Sequence, residues 1–187
     1  MITRHLETQP HGQRLSGGFA HAFGSAMTSR IVSVVATPAE SFRFLPAGVL
    51  PPEFHWARSN PAVEGALSRM TSVVDRAGEA ALPATVRELL QGWLAQWRGE
   101  DMSLSRAWVE LAVEGLKAQE RPVARLALLA ALASHQVYDG VMQACRPEGM
   151  TDADLIATAS WAAFGAARRI ASWLSALPEA AARRPLS

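Results

Sequence analysis

The sequence predicts an all-α protein, on three observations. Apolar residues recur every three or four positions over long stretches, the spacing that lines one face of a helix. No segment of four or more residues combines strict apolar–polar alternation with β-branched enrichment, so sheet is not expected. Prolines open most of the periodic stretches and glycines close them, which is the asymmetry of helix ends. With 187 residues, 49% of them hydrophobic and 19% charged, the chain has the size and composition of one globular domain able to bury a core without staples.

Residues 1–12 are expected to form a flexible arm, and a single helical domain is expected over 13–177. From Leu15 to Val35 the residues Phe19, Phe23, Met27, Ile31 and Val34 share one stripe, which predicts a first helix. A Pro-rich connector follows from Thr37 to Pro61. Pro38, Pro46, Pro51 and Pro52 forbid continuous helix there, yet Phe42, Phe44, Leu45, Val49, Leu50, Phe54 and Trp56 are too apolar for a free linker, so the connector is expected to pack along the helical body. Asn60 before Pro61 is a helix start, and that helix is expected to run to about Ala77 and stop near Gly78. Pro83 opens another, with Val86, Leu89, Leu90, Trp93, Leu94 and Trp97 on one stripe until Gly99. Ser103 or Ser105 caps a third, carrying Trp108, Leu111, Ala112 and Leu116. Pro122 begins the most apolar element, expected to be one central helix from Val123 to about Cys145. Arg146 to Gly149 breaks it. Thr151 and Asp154 then match a capping box, and the last helix is expected to reach Leu177 before a polar tail over 178–187.

Charge and composition exclude several functions. The formal charge is +1, and seventeen of eighteen basic residues are arginine, scattered among acids with no basic stripe, so a nucleic-acid partner is not expected. The longest apolar run, Leu126 to Ala133, is far shorter than the roughly 20 residues that span a bilayer. The first residues lack a secretory apolar stretch. No membrane association and a cytoplasmic location follow as expectations. A single cysteine, Cys145, excludes an intramolecular disulfide and any CxxC redox or zinc site. His5, His11, His21 and His55 have no spacing suited to a metal, so neither a metal nor another cofactor is expected.

Four segments carry a resemblance: Leu104 to Val109, Arg125 to Ala133, Gly149 to Ile156, and Ala166 to Arg169. Together they make the stretch 82–177 resemble the alkylhydroperoxidase and carboxymuconolactone decarboxylase family (AhpD-like), in particular the later half of longer, two-part members. The resemblance implies an AhpD-like helical bundle. Catalytic members cycle a CxxC pair between dithiol and disulfide, with a histidine and a glutamate relaying the proton. Counting back from Gly149 in the family's spacing lands on Ser134, Val137 and Val141 for the two cysteines and the histidine. None of the three residue types is present, and the thiol mechanism is not carried over.

What remains is a set of polar candidates. On one continuous helix His135, Tyr138, Asp139 and Met142 would share a face, with Asp139 orienting His135 as a general base; alternatively they mark the polar end of a buried helix. Arg168 and Arg169 interrupt an apolar helix and would either bind a carboxylate substrate or form ion pairs within the fold. Trp93, Trp97, Trp108, Trp161 and Trp173 belong to core or subunit interface, or line a pocket, where Trp161 would join the arginines as a substrate-binding residue. Two functions are compatible with these candidates. One is a cofactor-free enzyme acting on a small molecule by acid/base chemistry in an interhelical pocket. The other is a non-catalytic family member serving oligomerisation or partner binding, and a homo-oligomer is expected in either case.

Overall fold

The computed structural model describes residues 44–175. The expected arm, the first helix at Leu15 to Val35, Phe42 of the connector and the polar tail lie outside the described residues. Among the described residues there is no strand, and the chain is an all-α bundle. A 3-10 segment, Pro52–Ser59, leads into α1 (Pro61–Ala81), α2 (Ala84–Gln96), α3 (Ala107–Val113), α4 (Arg121–Leu132), the short α5 (Asp139–Gln143) and α6 (Asp152–Ser175). No helix among these residues is long and apolar enough to cross a membrane.

Helix α6 packs against α4 on one side and α1 on the other, and it also meets α2 and the 3-10 segment. The connector is packed, as its apolar content predicts. Leu50, Phe54 and Ala57 are buried, and Phe54 stacks on Phe164 of α6 with ring centroids 6.1 Å apart. Phe44, Leu45, Val49 and Trp56 are exposed instead, because the segment touches the body along one side only. The core is built around α4, in which Val123, Ala124, Leu126, Ala127, Leu128 and Leu129 are all buried. Val86 and Leu90 of α2, Val109 and Val113 of α3, and Leu155, Ala162 and Ala166 of α6 close over it. Each fully buried Leu or Val in such a core contributes about 1.5–3 kcal/mol.

Two helix starts follow their sequence signals. The Asn60 side chain accepts hydrogen bonds from the backbone N–H of Ala62 (3.0 Å) and Val63 (3.3 Å). Ser105 Oγ accepts from Ala107 N–H at 3.2 Å just ahead of α3, whose N-cap position is Arg106 and carries no side-chain cap bond, so the expected serine cap does not form. The capping box forms at α6: Asp154 accepts from the Thr151 N–H at 2.9 Å and hydroxyl at 2.6 Å, while Thr151 Oγ1 accepts from Asp154 N–H at 3.2 Å. These bonds hold the Asp154 carboxyl below its ordinary range.

Two boundaries differ from expectation. Helix α1 runs through Gly78 to Ala81, and the true stop is Pro83, which forces Leu82 into an extended conformation (φ −117°, ψ 132°). The expected continuous helix from Val123 to Cys145 is two helices. Helix α4 ends at Leu132, Ser134–Gln136 form a 3-10 turn, and Val137 and Tyr138 are extended before α5. Local tethers compensate for the lost helical bonds. Gln136 Nε2 donates to Ser103 O at 2.8 Å, and Arg106 lies over the Tyr138 ring at 4.3 Å. Past the break, Val141 and Cys145 return to the core, and Gly149, at φ +83°, makes the turn into α6.

Candidate functional site

The break in the central helix decides the geometry of the first candidate group. His135 lies on the 3-10 turn, Tyr138 in the extended link and Asp139 at the start of α5. The single helix face on which His135 and Asp139 were expected to pair therefore does not exist. All three side chains are exposed. The recorded neighbour of the His135 ring is Gln136, with Nε2 atoms 3.4 Å apart, and Tyr138 is engaged by Arg106. His135 is exposed and lines neither of the two cavities described below.

The positions that the resemblance assigns to the family's two thiols and histidine fall on different ground. Ser134 and Val137 line an apolar groove of about 380 Å³ with Leu126, Met142, Leu155 and Ile156. Val141 is buried. Cys145 is fully buried, its thiol donating to Val141 O at 3.5 Å, and burial pushes that thiol up against the opposing pull of Arg125 and Arg146. A protonated, inaccessible thiol is a poor nucleophile.

The second candidate group comes together. Trp161, Arg168 and Arg169, all on α6, line one cavity of about 460 Å³ between α6, α1, α2 and the 3-10 segment. Leu90, Leu94 and Phe164 supply its apolar wall, and Glu53, Asp75, Glu79 and Arg87 its further charges. Gly78 brings α1 close enough to α6 for the Trp161 indole to lie directly against it, because a Cβ there would overlap Trp161 Cγ and Cδ1.

Within this cavity the two α6 arginines hold the fold together. Arg168 donates from Nε to Glu53, and its Nη1 reaches Asp75 at 3.5 Å, tying the connector and α1 to α6. Arg169 donates to Ala95 O at 2.9 Å and through Nε to Trp97 O at 3.2 Å. It thereby satisfies carbonyls that the end of α2 leaves without intrahelical partners. Its guanidinium also lies 5.5 Å from the Trp173 ring. Arg168 thus forms ion pairs within the fold, while Arg169 bonds to backbone carbonyls and makes no ion pair among the described residues; both still border the cavity.

Three cavity residues had not been singled out from the sequence. Asp75 is raised above its ordinary 3.8, chiefly by burial, an effect that Arg168 opposes and Glu79 and Glu53 reinforce. Glu53 comes from the connector, 115 positions from its partner Arg168. Arg87 has its Nε shielded from solvent with no hydrogen-bond partner among the described residues. No local signal marks any of the three, since each owes its place to tertiary packing. Among the described residues no group of three or more His, Cys, Asp or Glu side chains is placed to hold a metal.

No family model and no solved structure matches the sequence. A curated protein of Mycobacterium tuberculosis named alkyl hydroperoxide reductase Rv2159c is 35% identical over 156 residues, which is 83% of this chain. The chain spans 45% of that relative's length. This similarity covers the described bundle far more widely than the four sequence segments do, and the all-α architecture agrees with it. The chain resembles the AhpD-like alkylhydroperoxidase family through this relative and its all-α bundle, with one cysteine where thiol cycling needs two.

Proposed function

We propose that this chain binds a small molecule in the cavity between α1, α2 and α6, and that the Asp75 carboxyl is its proton-transferring group. The observation that carries this reading is the convergence of an acid with a raised pKa, a fixed guanidinium and an indole wall on one cavity of ligand size. A carboxyl whose pKa is raised by burial is a stronger base when ionised than an ordinary aspartate, and so takes a proton from a weakly acidic substrate more readily. Arg168, held by Glu53, keeps a positive charge beside Asp75 and favours its ionised form once the proton has left. The acid/base reading thus moves from His135, whose orienting partner is absent, to Asp75.

The test identifies the small molecule that co-purifies with the chain and follows its turnover. Asp75→Asn is expected to lower turnover by about 10²–10⁴-fold, as loss of a general base does, while His135→Ala leaves it unchanged. The reverse pattern would return the chemistry to His135 and sink this reading.

A second reading is favoured by the apolar groove at Ser134 and Val137, whose rim residue Ile156 is 67% exposed. In that reading the chain is an assembly module, a homo-oligomer or partner-binding protein without catalysis. Light scattering on wild type and Ile156→Glu tests it. A monomeric wild type whose mass the substitution does not change would exclude self-assembly through this groove.

A further inference from the structure

We infer that the ligand of this cavity is a small monocarboxylate with an apolar body, its carboxylate received end-on by the terminal nitrogens of Arg87; the inference rests on the reading of the cavity as a ligand site. The three cavity arginines differ in what their donors do. Arg168 is matched by Glu53 and Asp75. Arg169 is matched by the Ala95 and Trp97 carbonyls. Arg87 borders the same cavity from α2, makes no ion pair among the described residues, and has a buried Nε–H that meets no acceptor.

A cation that borders a cavity without a partner gains from an anion placed beside it. The Nε is closed to any atom the size of a water oxygen, so the donors a ligand can reach are the terminal Nη–H groups, which meet no acceptor among the described residues. A carboxylate fits, because the paired Nη–H groups of a guanidinium form a fork that matches its two oxygens. The rest of the wall fixes the remainder of the ligand. Leu90, Leu94, Trp161 and Phe164 offer apolar and aromatic surface, and about 460 Å³ accommodates a ring or a short alkyl chain beyond the carboxylate. Glu53, Asp75 and Glu79 border the same space and repel a second negative charge, which disfavours dicarboxylates and phosphates. Glu79 is the internal competitor for Arg87, but it is exposed and forms no ion pair with it.

The experiment is calorimetric titration of the full 187-residue chain with benzoate and hexanoate, each compared with its neutral amide. The acids are expected to bind saturably and at least tenfold tighter than the amides. Arg87→Gln is expected to remove that preference, and Arg87→Lys, which keeps the charge but loses the fork, to retain part of it. Asp75→Asn should bind the acids as well as wild type or better, since an opposing charge is gone. Equal affinity for acid and amide in wild type, undiminished acid binding by Arg87→Gln, or no saturable binding of the acids would each overturn the inference. Its failure is separable from that of the proton-transfer reading. Arg87-dependent acid binding with undiminished turnover in Asp75→Asn sinks only the proton transfer, whereas Asp75-dependent turnover with no role for Arg87 sinks only the ligand class.

Discussion

Gly78 lies in the interior of α1, where alanine would ordinarily be the better helix former by about 1 kcal/mol. Here the preference reverses, because a methyl group at this position would overlap the Trp161 ring. Gly78→Ala is therefore expected to destabilise the chain by about 1–3 kcal/mol through overpacking, measured by urea denaturation; a stabilised variant would mean that α1 and α6 are less closely packed than described. Asp75 gives a second prediction at this scale. Its folded pKa lies above its ordinary 3.8, so the folded chain holds the proton more tightly than the unfolded one, and the contribution to stability is present below 3.8 and lost as pH rises through the folded value. Asp75→Asn should thus gain on wild type as pH rises from 4 to 7, in unfolding measurements across that range. A gap that narrows over the same interval would contradict the burial that raises this acid. Trp161, Arg168 and Arg169 were legible in the sequence because a large aromatic and two charges stand out on an apolar helix. Asp75, Glu53 and Arg87 were not, because nothing local distinguishes a surface charge from one that tertiary packing turns toward a cavity.

At the scale of elements, starts were more legible than ends. Asn60 and Thr151 each form the cap that their side-chain chemistry predicts, whereas α3 starts after Arg106 with no side-chain cap. Asn60→Ala is expected to cost about 1 kcal/mol, seen as a lower midpoint in thermal unfolding, and no change would mean that the Asn60 cap contributes nothing to α1. Ends are set from outside the helix. Helix α1 ignores Gly78 and stops at Pro83, and α2 stops at Gln96, where Arg169 takes up its last carbonyls. The break after Leu132 carries no proline or glycine in the sequence. It is sustained by contacts with the Ser103–Arg106 loop, which no reading of local periodicity contains. That one missed break separated His135 from Asp139 and removed the orienting carboxylate on which the sequence-based acid/base proposal depended.

For the whole molecule, the all-α class and the AhpD-like relationship were both legible, since periodicity and segment similarity survive wherever the core is kept. The location of the proposed site was not. The positions that the resemblance assigns to the family's thiols line an apolar groove, and the polar cavity lies elsewhere, bounded by α1, α2, α6 and the connector. One cysteine, fully buried and held protonated, is expected to give no thiol-dependent hydroperoxide reduction, and Cys145→Ser should leave any background rate in a peroxide-consumption assay unchanged; a rate abolished by that substitution would restore the thiol mechanism.

The central claim is the location of the ligand site, and its most direct test is a fragment library of charged and neutral small molecules, read by backbone amide chemical shifts on the labelled chain. The account predicts perturbations gathered at Asp75 to Glu79, Arg87 to Ala95 and Trp161 to Ser172, around the charged cavity. Perturbations gathered instead at Ser134 to Met142 and Leu155 to Ala163, with the cavity silent, would place binding in the apolar groove and contradict it.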